Sequence, residues 1–362
     1  MDALSLTKTE WEARMQELGQ PTYRAGQVLD WLFRRRVRDW TDMSNLPASI
    51  RQNLADDFPT RRLEKVRETG SKDTTRKFLF RLADGQLIES VLIPASPALY
   101  GEASDRRTIC ISSQVGCAYG CKFCASGLDG WKRNLTAAEI VDQFLQVEAE
   151  SGEKINNIVF MGMGEPMANY DNLLRAISIL NAPWGVGIGA RHMTVSTSGL
   201  APRIRDLAAQ PLQVRLAISF HGATDEVRGR IMPVNKKYPI EELLDACVRY
   251  ALRKPRTSIT FEYTMMQGVN DLPEHARALA KLMRRIDAKV QRANTAKVNL
   301  IPFNPFAGTR FERSEESRIR DFQKLLLDAG VLTMVRRTRG DDIDAACGQL
   351  KSASELKKGQ KV

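Results

Sequence analysis

Short apolar runs alternate with longer stretches of helical spacing over most of the chain after residue 107. Runs rich in Val, Ile, Thr and Phe predict strands, and apolar residues recurring every three or four positions predict helices. Strands are predicted at 108–113, 157–162, 192–198, 214–220, 258–266 and 296–303, and helices near 137–151, 170–181, 200–209, 240–252, 273–286 and 315–329. Successive strand–helix units predict an α/β fold with a parallel sheet. Since a closed barrel of this kind has eight units, we expect an open, partial (β/α)6 barrel.

The chain before this core has a different pattern. Residues 1–60 show three helical patterns, the first of which Thr7 can cap. Residues 77–82 and 87–93 are strand-like and flank Asp84-Gly85, which predicts a β-hairpin with a tight turn. We expect a small N-terminal helical accessory domain at 1–60, a β-hairpin extension at 61–102, the α/β core at 103–345 and a C-terminal segment at 346–362.

Polar motifs follow the predicted strands at the point where each strand ends. They are the cysteine-rich segment 117–124, Gly162–Pro166, Ser196–Gly199, Ser219–His221 and Asn304–Pro305. The carboxyl ends of the strands are where α/β barrels carry their chemistry. Each motif alone could be a turn or a helix cap, but together they predict one site at this rim.

The composition is that of a globular protein with an excess of positive charge. Hydrophobic residues make up 43% and charged residues 27% of the 362 residues, and the net charge is +11. A basic excess favours a polyanionic partner, for which RNA or DNA is the usual candidate, although a solvated basic surface would look the same. No apolar run approaches the ~20 residues that cross a bilayer, and the N-terminus lacks a secretory pattern. We therefore expect a cytoplasmic protein without a membrane partner.

The cysteines are clustered rather than scattered. Four of the six lie within residues 110–124, and a cytoplasmic chain keeps thiols reduced, which favours metal binding or catalysis. Cys117, Cys121 and Cys124 have the close spacing that lets three thiolates reach three corners of one [4Fe–4S] cubane. The fourth iron would then be open to a chelating ligand. A structural zinc site, which usually has four ligands, is the alternative.

This cysteine motif, with Phe123 directly before its third cysteine, resembles the signature of the radical S-adenosylmethionine (SAM) superfamily. In that superfamily SAM chelates the open iron, and its reductive cleavage gives a 5′-deoxyadenosyl radical. The resemblance implies a [4Fe–4S] cluster on the three cysteines and SAM as the second cofactor. It further implies SAM contacts from Gly164, Glu165, Ser196, Ser219, Phe220, His221 and Asn304.

Longer segments extend the likeness over nearly the whole chain. Together they resemble the RlmN/Cfr family of radical SAM RNA adenine methyltransferases, and most closely its RlmN branch. The segments are SSQVGCAYGCKFC (112–124), MGMGEP (161–166), VNKKY (234–238), LIPFNP (300–305) and RGDDIDAACGQL (339–350).

The resemblance assigns roles to residues outside the cysteine motif. One SAM would methylate Cys347, and a second would provide the radical that activates the S-methyl group for addition to the adenine ring. Glu89 would accept the ring proton. Cys110 would release the product by forming a transient disulfide with Cys347. Each turnover would use two SAM molecules and an electron donor such as flavodoxin.

The substrates implied are an adenine in the peptidyl-transferase centre of 23S rRNA and the adenine next to the anticodon in tRNAs, each methylated at C2. This ring carbon is electron-poor, so simple displacement on SAM cannot methylate it, and the cofactors must carry the hard step. A Cfr-like enzyme, which methylates C8 and confers antibiotic resistance, shares the motifs. A metal-containing RNA-binding protein without catalysis is an alternative of another class.

Without the resemblance, several of these residues have simpler interpretations. Glu89 could be a surface carboxylate, Cys110 a core thiol and Cys347 an incidental loop residue. Three further residues, Cys247, His192 and His275, are expected to have structural roles only. The arginines at 34–36 and 38 and at 336, 337 and 339 could be solvated, and are also candidates for phosphate contacts.

Overall fold

The computed structural model describes residues 2–58, 63–95, 104–128, 130–336 and 338–350. The expected C-terminal segment 346–362 is therefore described only as far as Leu350, and part of the expected hairpin extension also lies outside the described residues. In the described ranges, we find no helix with the length and apolar character needed to span a membrane.

One twisted sheet organises the molecule. Its strands are β1 (Glu64–Gly70), β2 (Arg76–Arg81), β3 (Leu87–Pro94), β4 (Arg107–Cys110), β7 (Asn157–Phe160), β8 (Met193–Thr197), β9 (Arg215–Ser219), β10 (Ile259–Met265), β11 (Ala296–Pro302) and β12 (Thr333–Val335), and they lie in this order. Neighbouring strands run parallel from β4 to β12. The first and last strands of the sheet do not pair, so the predicted open, partial barrel is confirmed.

The six predicted core strands are confirmed. The first of these strands was predicted too long, because β4 ends at Cys110. After Cys110 the chain leaves the sheet to form a separate pair of strands, β5 (Gln114–Gly116) and β6 (Trp131–Asn134). The parallel strand β12 was not predicted, because its three residues are too few to show alternation.

Helices cover the strands of the core. The helices are α1 (Lys8–Glu17), α2 (Tyr23–Leu29), α3 (Ala48–Asp57), α4 (Ala125–Leu128), α5 (Ala137–Ser151), α6 (Tyr170–Asn181), α7 (Ala201–Ala209), α8 (Asp225–Ile231), α9 (Ile240–Arg253), α10 (Pro273–Val290) and α11 (Glu316–Asp328). The six predicted core helices are confirmed as α5, α6, α7, α9, α10 and α11. Strand residues such as Ile158, Ile218 and Phe261 are fully buried beneath them, which explains why the core strands are apolar throughout.

The predicted hairpin is confirmed as β2 and β3, and it continues the core sheet. Val91 of β3 lies opposite Cys110 of β4 in an antiparallel pair, so the hairpin is hydrogen-bonded to the first barrel strand. β1 extends the hairpin on the other side. Its sequence, EKVRETG, is mostly polar and was not predicted as a strand.

The N-terminal helices pack around an aromatic cluster and dock on the core through ion pairs. Thr7 and Glu10 form a capping box at the start of α1, as the sequence predicts for Thr7. The ring of Trp11 lies 5.3 Å from that of Phe58 between centroids. Arg175 of α6 lies 2.8 Å from Glu10, which joins this region to the barrel.

Candidate active site

The three clustered cysteines lie on a loop whose ends are joined by the β5–β6 pair. Gly116 lies opposite Trp131 in this pair, and the N–H of Cys117 donates to the Gly130 carbonyl at 3.1 Å. At Gly116 φ is +71°, and a Cβ would lie 1.7 Å from the Gly130 carbonyl oxygen. Only glycine allows this closure, so the sequence fixes where the loop begins and ends.

The thiols of all three cysteines line one cavity. Burial raises the pKa of Cys117 to about 12 and also raises the pKa values of Cys121 and Cys124. For Cys121, the neighbouring thiolates add to the effect. Buried thiolates need positive charge beside them, and the irons of a cluster provide it. The donor set therefore fits a cluster that binds with release of protons.

A zinc site and an iron–sulfur cluster need different arrangements of their ligands. Four thiolates around one zinc ion, each at about 2.3 Å, converge on a single point. Within the described residues, no group of three His, Cys, Asp or Glu side chains is arranged to hold a single metal ion. Three cysteines that each bind a different iron of a cubane do not need to converge in this way.

Four of the five rim motifs come together around this cavity, which has a volume of about 940 Å³ including its open mouth. Apart from the cysteine loop, much of the wall is formed by β7, β8, β9 and β10 and the segments that follow them, and Ile301, Phe303, Arg336, Cys347 and Gly348 complete it. These strands contribute Gly162, Gly164, Glu165, Pro166, Ser196, Thr197, Ser198, Ser219, His221, Glu262 and Thr264.

Gly164 and Glu165 form a tight corner after β7. Gly164 has φ +96°, and a Cβ would lie 2.5 Å from the Cβ of Gln114, so the close approach requires glycine. The carboxylate of Glu165 accepts from the N–H groups of Ser198 at 2.6 Å and Met167 at 3.0 Å. Burial nevertheless raises its pKa above the usual value. A bound ammonium group, such as that of SAM, would restore the charged form.

One polar atom of the cavity wall, Glu262 Oε2, is buried without a hydrogen-bond partner. Buried polar groups are usually hydrogen-bonded, so this atom fits a polar ligand in the cavity. Glu262 lies within β10, where Ile, Phe, Tyr and Met are its neighbours. A carboxylate in such a strand is the sequence signal for this residue, which the rim motifs did not include.

His221 is neutral and fixed in one tautomer. Its Nδ1 accepts from the N–H of Thr264 at 2.9 Å, which leaves the proton on Nε2. Burial, followed by the charge of Arg228, lowers its pKa to about 3. Its backbone has φ +53°, an uncommon conformation for a non-glycine residue. The imidazole can therefore donate a hydrogen bond in the cavity and does not act as a cation.

A buried arginine connects the loops that follow β8 and β9. Arg228 of α8 is fully buried and donates to the carbonyls of Ser198 and Phe220 and to Oδ1 of Asn235. Burial lowers its pKa to about 10, which still leaves it charged at neutral pH. Sequence reasoning missed Arg228, because an arginine on a short helix is usually exposed.

The fold brings Cys110 and Cys347 close enough for their charges to interact, and Cys347 lines the cavity. Cys110 is buried at the end of β4, and Cys347 is exposed on the C-terminal loop. Burial, followed by the nearby Cys347, raises the pKa of Cys110 to about 12. Arg336 opposes this shift. Two residues that are 237 positions apart in the sequence are thus brought together by the fold.

Glu89 faces the same side of the sheet as Cys110. Val91 lies opposite Cys110, and Glu89 is two residues before Val91, so all three side chains point to one face. Glu89 is 3% exposed, so the surface-carboxylate interpretation is wrong. Its charge partner is Lys77, whose Nζ lies 3.1 Å from Oε1.

Phe220 and Asn304 do not line the cavity that the other rim residues share. Phe220 is fully buried, with its ring 5.6 Å from that of Phe261 between centroids. Asn304 instead lies under the C-terminal loop, where its Nδ2 donates to the Cys347 carbonyl at 3.2 Å. It lines a smaller neighbouring cavity together with Arg336 and Cys347.

The three residues expected to be structural have no place in this cavity. Cys247 is fully buried on α9, which confirms it as a core thiol. His275 accepts from the N–H of Leu272 at the start of α10, and His192 is exposed beside β8.

The described arginines that are candidates for phosphate contacts fall into three pairs with different surroundings. Arg36 and Arg38 form ion pairs with Glu148 and Glu150 of α5, so they join the N-terminal region to the core. Arg336 lines both cavities, and Arg339 donates to the Pro94 carbonyl. Arg34 and Arg35 are exposed and share Asp30. Arg337 lies outside the described residues.

Comparison with known proteins agrees with this geometry. Residues 111–283 match the family model of the radical SAM superfamily, and residues 1–58 match that of the ribosomal RNA large subunit methyltransferase N-terminal domain. A probable dual-specificity RNA methyltransferase RlmN from Akkermansia muciniphila is 48% identical, over 98% of this chain and 97% of the relative. The chain belongs to the RlmN family of radical SAM methyltransferases. Its cofactors are a [4Fe–4S] cluster and SAM.

Further similarities support membership of the RlmN family. The dual-specificity RNA methyltransferase RlmN of Xanthomonas campestris is 49% identical over 92% of this chain and 83% of its own length. The crystal structure of a radical SAM methyltransferase from Sphaerobacter thermophilus superposes with a TM-score of 0.88 at 44% identity, covering 97% of this chain and 99% of that chain. The zinc and non-catalytic alternatives are not favoured by these findings.

Proposed function

We propose that this protein methylates C2 of an adenine in the peptidyl-transferase centre of 23S rRNA and C2 of the adenine next to the anticodon in tRNAs. The observation that carries this proposal is that Glu89 and Cys110 share one face of the sheet, and that Cys110 interacts electrostatically with Cys347, which lines the cavity together with the cysteine loop. Relatives at 48% and 49% identity are named as dual-specificity RNA methyltransferases. The branch of the family to which they belong favours C2 over the C8 chemistry of a Cfr-like enzyme.

The residues around the large cavity would hold the cofactors. Cys117, Cys121 and Cys124 would bind the cluster, and Glu165 and His221 would position SAM together with Gly164, Ser196 and Ser219. When bound, the two cofactors supply the hydrogen-abstraction chemistry that an electron-poor ring carbon requires. The low pKa of His221 means that it contributes a hydrogen-bond donor rather than a charge.

Cys347 would carry the methyl group to the base. It is exposed and lines both cavities, so its sulfur can face SAM on one side and RNA on the other. Two SAM molecules would be used in each turnover, one of them as the source of the methyl group on Cys347. The target adenine has to be unstacked to reach this sulfur, as is usual for enzymes that act on a base.

Glu89 and Cys110 would complete the reaction. Glu89 would accept the ring proton, and the sulfur of Cys110 would bond to the sulfur of Cys347. The bond between the Cys347 sulfur and the transferred carbon would break at the same time, with its electron pair staying on carbon, which takes up a proton to become the methyl group. The resulting disulfide must be reduced before the next cycle. Because the pKa of Cys110 is about 12 and the thiolate is the attacking form, the thiol has to lose its proton before the attack.

The other parts of the chain have proposed roles that follow from these substrates. We assign RNA contacts to the helical region 1–60, the α/β chemistry to 103–345 and the carrier cysteine to 346–362, with 61–102 linking the first two. Ribosomal and transfer RNA place the enzyme in the cytoplasm, and an electron donor such as flavodoxin would reduce the cluster.

The test is the product of an anaerobic assay with both RNAs. The reconstituted protein, SAM and a reductant are incubated with a 23S rRNA fragment or a tRNA, and mass spectrometry against nucleoside standards locates the methyl group. We expect 2-methyladenosine from both substrates. A product methylated only at C8 would contradict the proposal. Methylation of only one of the two RNAs would contradict the proposed activity on the other.

A further inference from the structure

Lys77 is a buried lysine for which the proposed mechanism has no role. It lies on β2, and its side chain is 10% exposed. Its Nζ lies 3.1 Å from Oε1 of Glu89 and donates to the Asp344 carbonyl at 3.1 Å. A buried ammonium group is costly unless it is paired and hydrogen-bonded, and here one partner is the proposed proton acceptor and the other belongs to the loop that carries Cys347.

The sheet register places this ammonium group beside Glu89. Lys77 lies opposite Val91, and Glu89 lies opposite Leu79, so Lys77 and Glu89 are diagonal neighbours on adjacent strands. Diagonal neighbours on one face are within reach of long side chains. Since Cys110 also lies opposite Val91, on the far side of β3, the same face carries the proposed resolving thiol.

The loop that carries Cys347 rests on the turn between β1 and β2. Ser71 Oγ donates to Oδ1 of Asp342 at 2.5 Å, and the N–H of Gly340 donates to Oδ2 of Asp73 at 2.9 Å. Asp344 has φ +52°, which L residues rarely adopt. The bond from Lys77 holds the carbonyl of this unusual residue, three positions before Cys347.

We propose that Lys77 is a positioning residue that sets Glu89 and the Cys347 loop relative to each other through a single ammonium group. The inference rests on the proposed function, in which Glu89 accepts the ring proton and Cys347 carries the methyl group. Because one nitrogen contacts both, neither can shift without the other.

A positioning role for Lys77 and a purely structural role predict effects on different steps of the reaction. If Lys77 acts through Glu89, its loss should block release of the protein–RNA adduct and leave the earlier methylation of Cys347 in place. If Lys77 only stabilises the fold, its loss should slow every step equally. The adduct therefore separates the two roles.

The experiment compares Lys77→Met, Lys77→Arg, Glu89→Gln and the double variant Lys77→Met/Glu89→Gln in the reconstituted full-length enzyme with a 23S rRNA fragment. The matched control is Lys65→Met, since Lys65 lies on the neighbouring strand β1 and pairs instead with Glu150 of α5 at 2.5 Å. Intact-protein mass spectrometry measures S-methylation of Cys347 and the covalent RNA adduct. Iron content and circular dichroism monitor folding.

We expect Lys77→Met to methylate Cys347, to accumulate adduct and to lower product release about 100-fold, as loss of a proton acceptor does. Lys77→Arg should restore part of the release. In the Glu89→Gln background, Lys77→Met should cause little further loss, because residues that act as a unit are not additive. Turnover of Lys77→Met equal to that of Lys65→Met, or a full additional loss in the double variant, would overturn the inference.

A second readout needs no cofactor and keeps the inference testable if turnover is weak. Hydrogen exchange of the amides at 340–348 in the cofactor-free protein should be faster in Lys77→Met than in Lys65→Met. Equal exchange would remove the proposed link to the loop. If the wild-type enzyme forms no 2-methyladenosine, the proposed function fails, whereas a normal wild type with a normal Lys77→Met variant contradicts the inference about Lys77 alone.

Discussion

The N–H of Ala125 donates to the carbonyl of Gly348 at 2.7 Å. Ala125 directly follows the third cysteine of the loop, and Gly348 directly follows Cys347. The segment proposed to hold the cluster and the segment proposed to carry the methyl group are therefore joined by their backbones. A second bond, from Ser126 to the Leu350 carbonyl, extends the same contact. The loop with Cys347 is thus docked on the site, although its cysteine remains exposed.

Replacing the proposed carrier should separate cluster binding from methyl transfer. Cys347→Ala removes the only proposed acceptor for the methyl group, so we expect no methylated RNA while the iron content and SAM cleavage persist. Anaerobic assays with radiolabelled SAM and iron determination measure the two properties. Cys247→Ala, which changes a core thiol outside the cavity, should retain RNA methylation. Methylated RNA from Cys347→Ala would contradict the assignment.

Replacing the proposed resolving thiol should trap the enzyme on its substrate. Cys110→Ala removes the proposed resolving sulfur, and Cys124 would be bound to the cluster, so the bond between Cys347 and the transferred carbon cannot be exchanged for a disulfide. We expect a covalent protein–RNA species on denaturing gels, confirmed by mass spectrometry of the peptide that contains Cys347. Normal turnover without such a species would remove Cys110 from the mechanism.

The pKa of Cys110 predicts how adduct release depends on pH. With a pKa of about 12, the thiolate fraction rises about tenfold per pH unit throughout the range from 7 to 9. Single-turnover release should rise with pH and should not level off below pH 9. The rates are measured by quenching at each pH, with Cys110→Ala as the control for release by other routes. A plateau below pH 8 would contradict the raised pKa of this thiol.

His221 predicts a pH dependence of stability. Its folded pKa is about 3, whereas the unfolded value is 6.5, so the unfolded state binds the proton more readily below pH 6.5. Stability from this residue is present above pH 6.5 and falls by about 1.4 kcal/mol per pH unit towards pH 3. His221→Asn tolerates the positive φ and should remove this slope.

Urea unfolding of the wild type and the His221→Asn variant between pH 5 and 7.5 measures the difference, and comparing the two proteins cancels the contributions of other groups. The free energy of unfolding of the wild type, relative to that of His221→Asn, should fall as the pH is lowered from 7.5 to 5. A gap that is constant over this range would mean that His221 titrates normally in the folded protein.

The sequence predicts the core well where local signals decide the structure. Helix α5 begins after Thr136, which forms a capping box with Glu139, and it ends at Gly152 with φ +69°. Its predicted bounds are therefore confirmed. Strands β1 and β12 were not predicted, because a polar strand and a three-residue strand are stabilised by their neighbours in the sheet rather than by their own pattern.

The candidate site was predictable only in part. The spacing of the three clustered cysteines is a local feature, and the loop keeps them together. The positions of Lys77 and Arg228 depend on strand register and on contacts between distant loops, for which one sequence carries no signal. Lys77 is next to Phe78 in a strand-like run, where a lysine is usually taken as exposed.

The continuous pairing of β2, β3 and β4 fixes the distances between Lys77, Glu89 and Cys110. Adjacent strands are about 4.8 Å apart, so the separations between Lys77, Glu89 and Cys110 are set by backbone hydrogen bonds rather than by side-chain packing. Substitutions elsewhere in the sheet can therefore accumulate without altering them. A single residue inserted into β3 between Glu89 and Val91 would instead turn Glu89 to the opposite face of the sheet from Val91. Across evolution, this strand can change its sequence much more freely than its length.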